Sequence, residues 1–255
     1  MSAPAFLDTP QGRRIAYHKS EGAGPGVVFL GGFRSDMTGT KALHLEAWAR
    51  ARGRAFLRFD YSGHGASSGR FEEGCIGDWA EDAVAAIEAL TQGPQILVGS
   101  SMGGWIAILA SERLGPARVA GLVGIAAAPD FTEDGFWAGF DEAQRAELVE
   151  KGQIAIPSDY EDGPYIITRR LIEEGRRHLV LRRPLGLPFP VRLLQGTEDE
   201  AVPLEVPLKL LDHADCADMR LTLVKGADHR FSDPDCLELI ETAIHEVTAR
   251  AGRGA

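Results

Sequence analysis

The sequence predicts an α/β fold, a mostly parallel sheet with helices on both faces and a helical lid inserted into it. Three observations carry that expectation. Short apolar runs alternate with stretches of helical periodicity, the runs lack the in-and-out alternation of half-exposed strands, and one connection is far longer than a crossover requires. A chain of 255 residues with 44% hydrophobic content can bury one large core, so a single domain over 1–255 is expected, with the lid at 130–189.

The elements follow in order. Residues 4–9 and 12–19 read as an antiparallel edge hairpin, because Ile15 and Tyr17 alternate against polar neighbours. Buried strands are expected at "GVVFLGG" from Gly26, "RAFLRFD" from Arg54, "PQILVGS" from Pro94, "VAGLVGI" from Val119, "VRLLQG" from Val191 and "RLTLVKG" from Arg220. Helical spacing joins Ala42, Leu45, Trp48 and Ala49, then Ile76, Trp79, Ala83, Ile87 and Leu90, and finally Leu237, Ile240, Ile244 and Val247. Gly53 stands where the first of these helices needs a left-handed stop, and Asp233-Pro234 offers a cap and a first-turn proline to the last. About 60 residues separate Ala128 from Val191, too many for one crossover. Within them "FDEAQRAELVEKG" carries an Asp141-to-Gln144 capping-box spacing, and "GPYIITRRLIEEG" reads as a further helix with proline in its first turn.

Composition removes several function classes. A net charge of −10 disfavours a phosphate backbone as partner, so no nucleic acid is expected. Cys75, Cys216 and Cys236 are odd in number and scattered, which suits neither a disulfide framework nor a zinc site; no metal and no cofactor is expected, and the other histidines lack metal-ligand spacing. No apolar stretch reaches the length of a membrane span and the N-terminus lacks a charged start followed by an apolar run, so a cytoplasmic protein without stable membrane insertion is expected.

The chemistry gathers where strands end, because loops at the carboxyl ends of a parallel sheet line the ligand crevice. After "QILV" comes Gly99-Ser100-Ser101-Met102-Gly103, which fits G-x-S-x-G only with Ser101 at its centre. Such a serine sits on a sharp strand-to-helix turn, where glycines two residues either side remove collisions. The following helix start favours developing negative charge. Acids follow at Glu198, Asp199, Glu200 and Asp228, and then His229, giving the chain order serine, acid, histidine. In that arrangement His229 takes the serine proton while the acid, Asp199 by our ranking, holds its tautomer. Met102 and Phe33, the latter in the loop after "VVFL", offer backbone N–H groups for an oxyanion hole. His64 lies in a glycine-rich loop with Asp60 that reads as a turn shaping the site.

The long connection supplies candidates for substrate contact. "FTEDGFWAGF" holds Phe131, Phe136, Trp137 and Phe140, and Ile154, Ile156, Tyr165 and Ile166 follow. Such a cluster serves either to pack the lid or to line an acyl pocket, with Trp137 and Phe140 the candidates for the second role. Arg169-Arg170, Arg176-Arg177 and Arg182-Arg183 read as solvated pairs partly neutralised by Glu173 and Glu174, or as a source of one carboxylate clamp, for which Arg169 and Arg170 are the candidates.

The blocks "GGFRSDMTGTKALHLEAWARARG", "RFDYSGHGASSG", "GPQILVGSSMGGW", "RLLQGTEDEAVP" and "DHR" resemble the α/β-hydrolase superfamily, and within it the mitochondrial palmitoyl-protein thioesterase branch also described as acyl-glucuronide esterases. The resemblance spans roughly residues 24–248. It implies Ser101 as nucleophile, Asp199 as acid, through the G-x-x-D-x-x-V-P pattern of these hydrolases, and His229 as base. It further implies hydrolysis of acyl-cysteine thioesters and acyl-glucuronide-type esters. The partner expected is therefore a small acyl ester or thioester, extending to an S-acylated protein. The chain starts at its first strand, so a mitochondrial address is not expected of it. A binding protein that keeps a hydrolase pocket as a receptor is the second function class.

Overall fold

The computed structural model describes residues 3–157 and 163–252. An eight-stranded sheet organises them. Its strands are β1 (Ala5–Asp8), β2 (Arg14–Ser20), β3 (Ala23–Leu30), β4 (Arg54–Phe59), β5 (Gln95–Ser100), β6 (Val119–Ile125), β9 (Val191–Gly196) and β10 (Met219–Val224), in the spatial order β1-β2-β4-β3-β5-β6-β9-β10. The strands from β4 to β10 pair in parallel, whereas β2 is antiparallel to both β1 and β4. The expected edge hairpin is therefore present and all six expected strands form, but β10 is the other edge of the sheet, paired only with β9, and is partly exposed rather than buried. β5 and β9 are buried along their whole length, so their sequences lack the in-and-out alternation of half-exposed strands.

Helices cover both faces. α1 (Thr40–Ala51) and α7 (Pro234–Ala251) pack Leu45, Trp48, Ile240 and Ile244 against one side; α2 (Ile76–Leu90) and α3 (Met102–Leu114) pack Trp79, Ile87, Trp105 and Ile106 against the other. Each fully buried aliphatic of this kind contributes about 1.5–3 kcal/mol. The expected end signals operate as well. Asp233 accepts the Cys236 N–H at 2.9 Å with Pro234 in the first turn of α7, and Gly53 adopts φ +62° beyond α1. On β4 the buried Arg58 grips Glu46 of α1 through Nε and Nη2 at 2.9 and 2.7 Å, a two-pronged pair that sets the helix on the sheet. Among the described residues no helix is long and apolar enough to cross a membrane.

The long connection between β6 and β9 is not purely helical. A π-helical turn (Thr132–Trp137) leads to α4 (Glu142–Lys151), whose capping box is complete: Gln144 N–H donates to Asp141 at 2.8 Å and Asp141 N–H to the Gln144 side chain at 3.0 Å. Then β7 (Gln153–Ile156) and β8 (Tyr165–Thr168) form an antiparallel hairpin, with Ile154 opposite Ile167. The helix expected from Pro164 thus starts later, as α5 (Arg169–Gly175), with Thr168 capping it by accepting the Leu171 N–H at 3.1 Å. The reason is local. Tyr165, Ile166, Ile167 and Thr168 are aromatic or β-branched, and β7 offers them a partner strand. Asp130, buried at φ +60°, anchors the returning chain by accepting the Val180 and Leu181 N–H groups at 2.7 and 3.0 Å and Arg182 at 3.0 Å. A further helix, α6 (Glu205–His213), precedes β10.

Candidate active site

Ser101 is the single residue between β5 and α3, and its backbone holds φ +55°, ψ −120°, a region that L residues rarely occupy. The neighbouring glycines make that possible. A Cβ on Gly99 would collide with the Gly103 carbonyl, and one on Gly103 would collide with the carbonyls of Leu30 and Gly31 at the end of β3. The turn is also tied to β6, since Ser101 N–H donates to the Ile125 carbonyl at 2.9 Å and Ala128 N–H to the Ser101 carbonyl at 3.1 Å. Ser100, by contrast, belongs to β5 and is buried.

His229 arrives from the loop after β10. Its Nε2 lies 3.2 Å from Ser101 Oγ and its Nδ1 lies 2.9 Å from Asp199 Oδ2, in the loop after β9. With Nδ1 protonated and donating to the carboxylate, Nε2 is left to accept the serine hydroxyl proton. The Asp199 side chain is fully buried, and its Oδ1 accepts the N–H groups of Ala201 and Val202 at 2.9 and 2.8 Å. Burial alone would raise its carboxyl pKa; the hydrogen bond and charge of His229, with the Val202 N–H and the Gln195 amide, outweigh it and hold the group below the ordinary carboxylate value. Of the rival acids, Asp228 is occupied in accepting the Phe231 N–H at 3.0 Å.

The Met102 N–H is the first of α3 and has no acceptor within the helix, and α3 points this end at the serine. Phe33 lies in the loop after β3, where Gly32 comes so close that a Cβ there would be 3.5 Å from Ser101 Cβ. Arg34 follows at φ +57°, and the Ser35 N–H closes the turn on the Gly32 carbonyl at 3.1 Å. This loop is clamped at Met37 from both sides: Asp60 accepts the Met37 N–H at 2.6 Å while Arg58 donates to the Met37 carbonyl at 2.9 Å. Asp60 also accepts the Ala66 N–H at 2.8 Å, so the glycine-rich turn shapes the site from behind, as its composition suggested. His64 of that turn is buried against Tyr61, Phe71 and Trp79, and burial lowers its pKa to about 4, keeping it neutral.

These groups open into a cleft of about 570 Å³, a size suited to a small organic ligand. One wall is aromatic. The Phe33 ring is edge-on to Phe131, Phe136 and Tyr165 at 5.6, 5.7 and 5.7 Å, and all four line the cleft. The cleft is also lined by Arg34, whose guanidinium lies 5.8 Å from the Tyr165 ring centroid, and by Lys41 and Arg230, which meet directly, the ammonium donating to the Arg230 carbonyl.

The four substrate-contact candidates drawn from the long connection do not line this cleft. Trp137 instead lies beneath the guanidiniums of Arg145 and Arg176, and Phe140 stacks behind Phe136 with centroids 6.4 Å apart. Arg169 pairs with Glu173 at 2.6 Å, and Arg170 with Asp78 at 2.7 Å and the Glu73 carbonyl. The π-helical turn explains the first pair: its wider i→i+5 winding rotates Phe131 and Phe136 toward the serine and sends Trp137 elsewhere. Two residues at the site carried no sequence expectation: Gln195, which donates to Asp199 and whose available signal was a polar side chain on a wholly buried strand, and Lys41 at the start of α1, which lines the cleft and left no such signal.

Residues 44–155 match the family model for the alpha/beta hydrolase fold. Palmitoyl-protein thioesterase ABHD10, mitochondrial, of Bos taurus is 37% identical over 247 residues, covering 95% of this chain and 79% of that protein. The solved structure of alpha/beta hydrolase domain-containing protein 10 from mouse superposes with a TM-score of 0.89 at 34% identity, covering 96% of this chain and 98% of the other. A crystallised protein from Agrobacterium vitis S4 superposes with a TM-score of 0.92 at 41% identity, again covering 96% and 98%.

Proposed function

The chain belongs to the α/β-hydrolase family, and from that premise we propose that it is a serine hydrolase cleaving carboxylic thioesters and esters through an acyl-enzyme on Ser101. The observation that carries the reading is the unbroken line from Ser101 Oγ through His229 to Asp199, at 3.2 and 2.9 Å. His229 removes the hydroxyl proton as Oγ attacks the acyl carbon. The carbonyl oxygen becomes an oxyanion facing the N–H groups of Met102 and Phe33, each such donor supplying about 3 kcal/mol of transition-state stabilisation. Collapse breaks the bond to the leaving sulfur or oxygen, which takes the proton from His229. Water, deprotonated by the same imidazole, then attacks the acyl-serine, and the acid departs as Ser101 regains its proton.

The aromatic wall of Phe33, Phe131, Phe136 and Tyr165 suits an acyl chain, which makes S-acylated cysteines the favoured substrate class, with acyl-glucuronide-type esters the second; similarity to the bovine palmitoyl-protein thioesterase supports the first. Residues 130–189 act as the lid of a single domain in this reading. Cytoplasmic placement is our reading too, although the curated relatives are named mitochondrial, and fractionation of cells expressing the tagged chain decides between the two.

Steady-state hydrolysis across acyl-cysteine thioesters and matched oxygen esters, from short to palmitoyl chains, tests the reading. Turnover that survives Ser100→Ala and disappears in Ser101→Ala is expected. Equal rates after Ser101→Ala would overturn the mechanism, and tight retention of ligand without turnover would move the chain into the receptor class.

A further inference from the structure

We propose that Lys41 is a positioning residue for the catalytic histidine, holding the His229 loop in place from the first turn of α1. The inference rests on the serine-hydrolase reading above.

The geometry is as follows. Beyond His229 the chain turns sharply, with Phe231 fully buried at φ +49° and its N–H bound to Asp228 at 3.0 Å. A backbone bent into that region needs outside support. Lys41 supplies it: Nζ donates to the Arg230 carbonyl and lies 3.4 Å from Ser232 Oγ, which itself donates to the same carbonyl at 2.8 Å. Asp199 fixes the imidazole at its Nδ1 end, and the ammonium fixes the backbone one residue beyond it. The base of that support is rigid, because α1 is held on β4 by the Glu46–Arg58 pair and the loop before it is clamped at Met37. One turn further along α1, His44 meets Glu241 of α7 at 2.7 Å, so the same helix is tied to the element that follows the histidine loop.

Charge strengthens the bond to the Arg230 carbonyl, since a charged donor makes a hydrogen bond about twice as strong as a neutral one. The groups facing the ammonium are Asp228 and Arg230 on the histidine loop and Cys236 in the first turn of α7. Burial lowers the Lys41 pKa to about 8; Asp228 opposes the shift and Arg230 adds to it. The Cys236 thiol is pushed up to about 12, so it stays neutral over the working range. The ammonium is therefore present below pH 8 and lost as pH rises through that value.

The test measures kcat and KM for one thioester from pH 6 to pH 10 in the native chain, Lys41→Met, Lys41→Arg and Ser101→Ala, with thermal melting of each. The native chain is expected to lose kcat above pH 8. Lys41→Met should lower kcat by roughly 10- to 100-fold, the scale of a misplaced catalytic group, with KM nearly constant and no fall near that pH. Lys41→Arg, which keeps its charge, should restore most of kcat and carry it past the native alkaline fall. Three results would overturn the inference: native kcat and pH profile in Lys41→Met, a rise in KM alone, or loss of kcat in Lys41→Met that Lys41→Arg fails to restore at an unchanged melting temperature. Absence of Ser101-dependent turnover in the native chain would instead overturn the parent reading, and the role of Lys41 with it.

Discussion

Gln195 Nε2 donates to Asp199 Oδ2 at 2.8 Å, the same oxygen that faces His229 Nδ1, and holds the Val202 carbonyl at 3.1 Å with its amide. A neutral amide on β9 thus fixes the carboxylate from below while the imidazole binds it from above. Gln195→Leu fills similar space and removes both bonds. It is expected to reduce kcat/KM by about tenfold, with stability falling by about 1–3 kcal/mol for the unpaired partners left behind. Steady-state kinetics and denaturant unfolding of the one variant check both numbers.

Asp199→Asn should cost far more, about 10⁴-fold in kcat, because the amide favours the wrong imidazole tautomer. It also changes the acid limb of stability. The folded carboxyl titrates below its ordinary value, so its contribution is present above the unfolded pKa and disappears as pH falls through the folded one. Acid unfolding of Asp199→Asn should accordingly show a shallower loss of stability below pH 4 than the native chain, a comparison that urea titrations at stepped pH would make.

The two glycines flanking Ser101 differ in kind from the glycine that ends α4. Gly99→Ala drives a methyl into the Gly103 carbonyl, a backbone atom that cannot swing aside, and is expected to abolish turnover and cost about 1–3 kcal/mol. Gly152→Ala meets nothing within 4 Å but must hold φ +77°. It should cost about 1 kcal/mol and leave kcat unchanged. Melting temperatures and turnover of the pair separate collision from backbone strain.

Asp130→Ala removes the buried acceptor of two backbone N–H groups and Arg182. Loss of about 3–5 kcal/mol is expected, since donors are stranded on both sides of the junction. Amide exchange should then quicken around Val180 and Leu181 before it quickens in β5.

What could be read from the chain alone follows from how each feature is encoded. Buried strands and end-capped helices leave periodic and positional marks, and Ser101, Asp199 and His229 stand at strand ends where chemistry is expected. The aromatic wall was legible as a cluster, yet Trp137 and Phe140 were singled out where Phe131, Phe136 and Tyr165 face the cleft, because a π-helical turn breaks the period on which side-chain direction is inferred. The β7–β8 hairpin was hidden for another reason. Each strand has only four residues and gains its stability from the other. Lys41 was silent because its partners are the Arg230 carbonyl and Ser232, about 190 residues away, and a backbone acceptor leaves no trace in side-chain pattern.

The parallel order β5-β6-β9-β10 has a kinetic consequence. Ser101 hangs from β5, Asp199 from β9 and His229 from β10, so the three groups of the proposed triad meet only after a chain segment of more than 100 residues has closed three successive strand pairings. Helix content can return early in refolding from contacts within single elements, but turnover cannot. Recovery of activity is thus a clock for the last step of sheet assembly, and it should lag the far-ultraviolet signal when denatured chain is diluted into buffer.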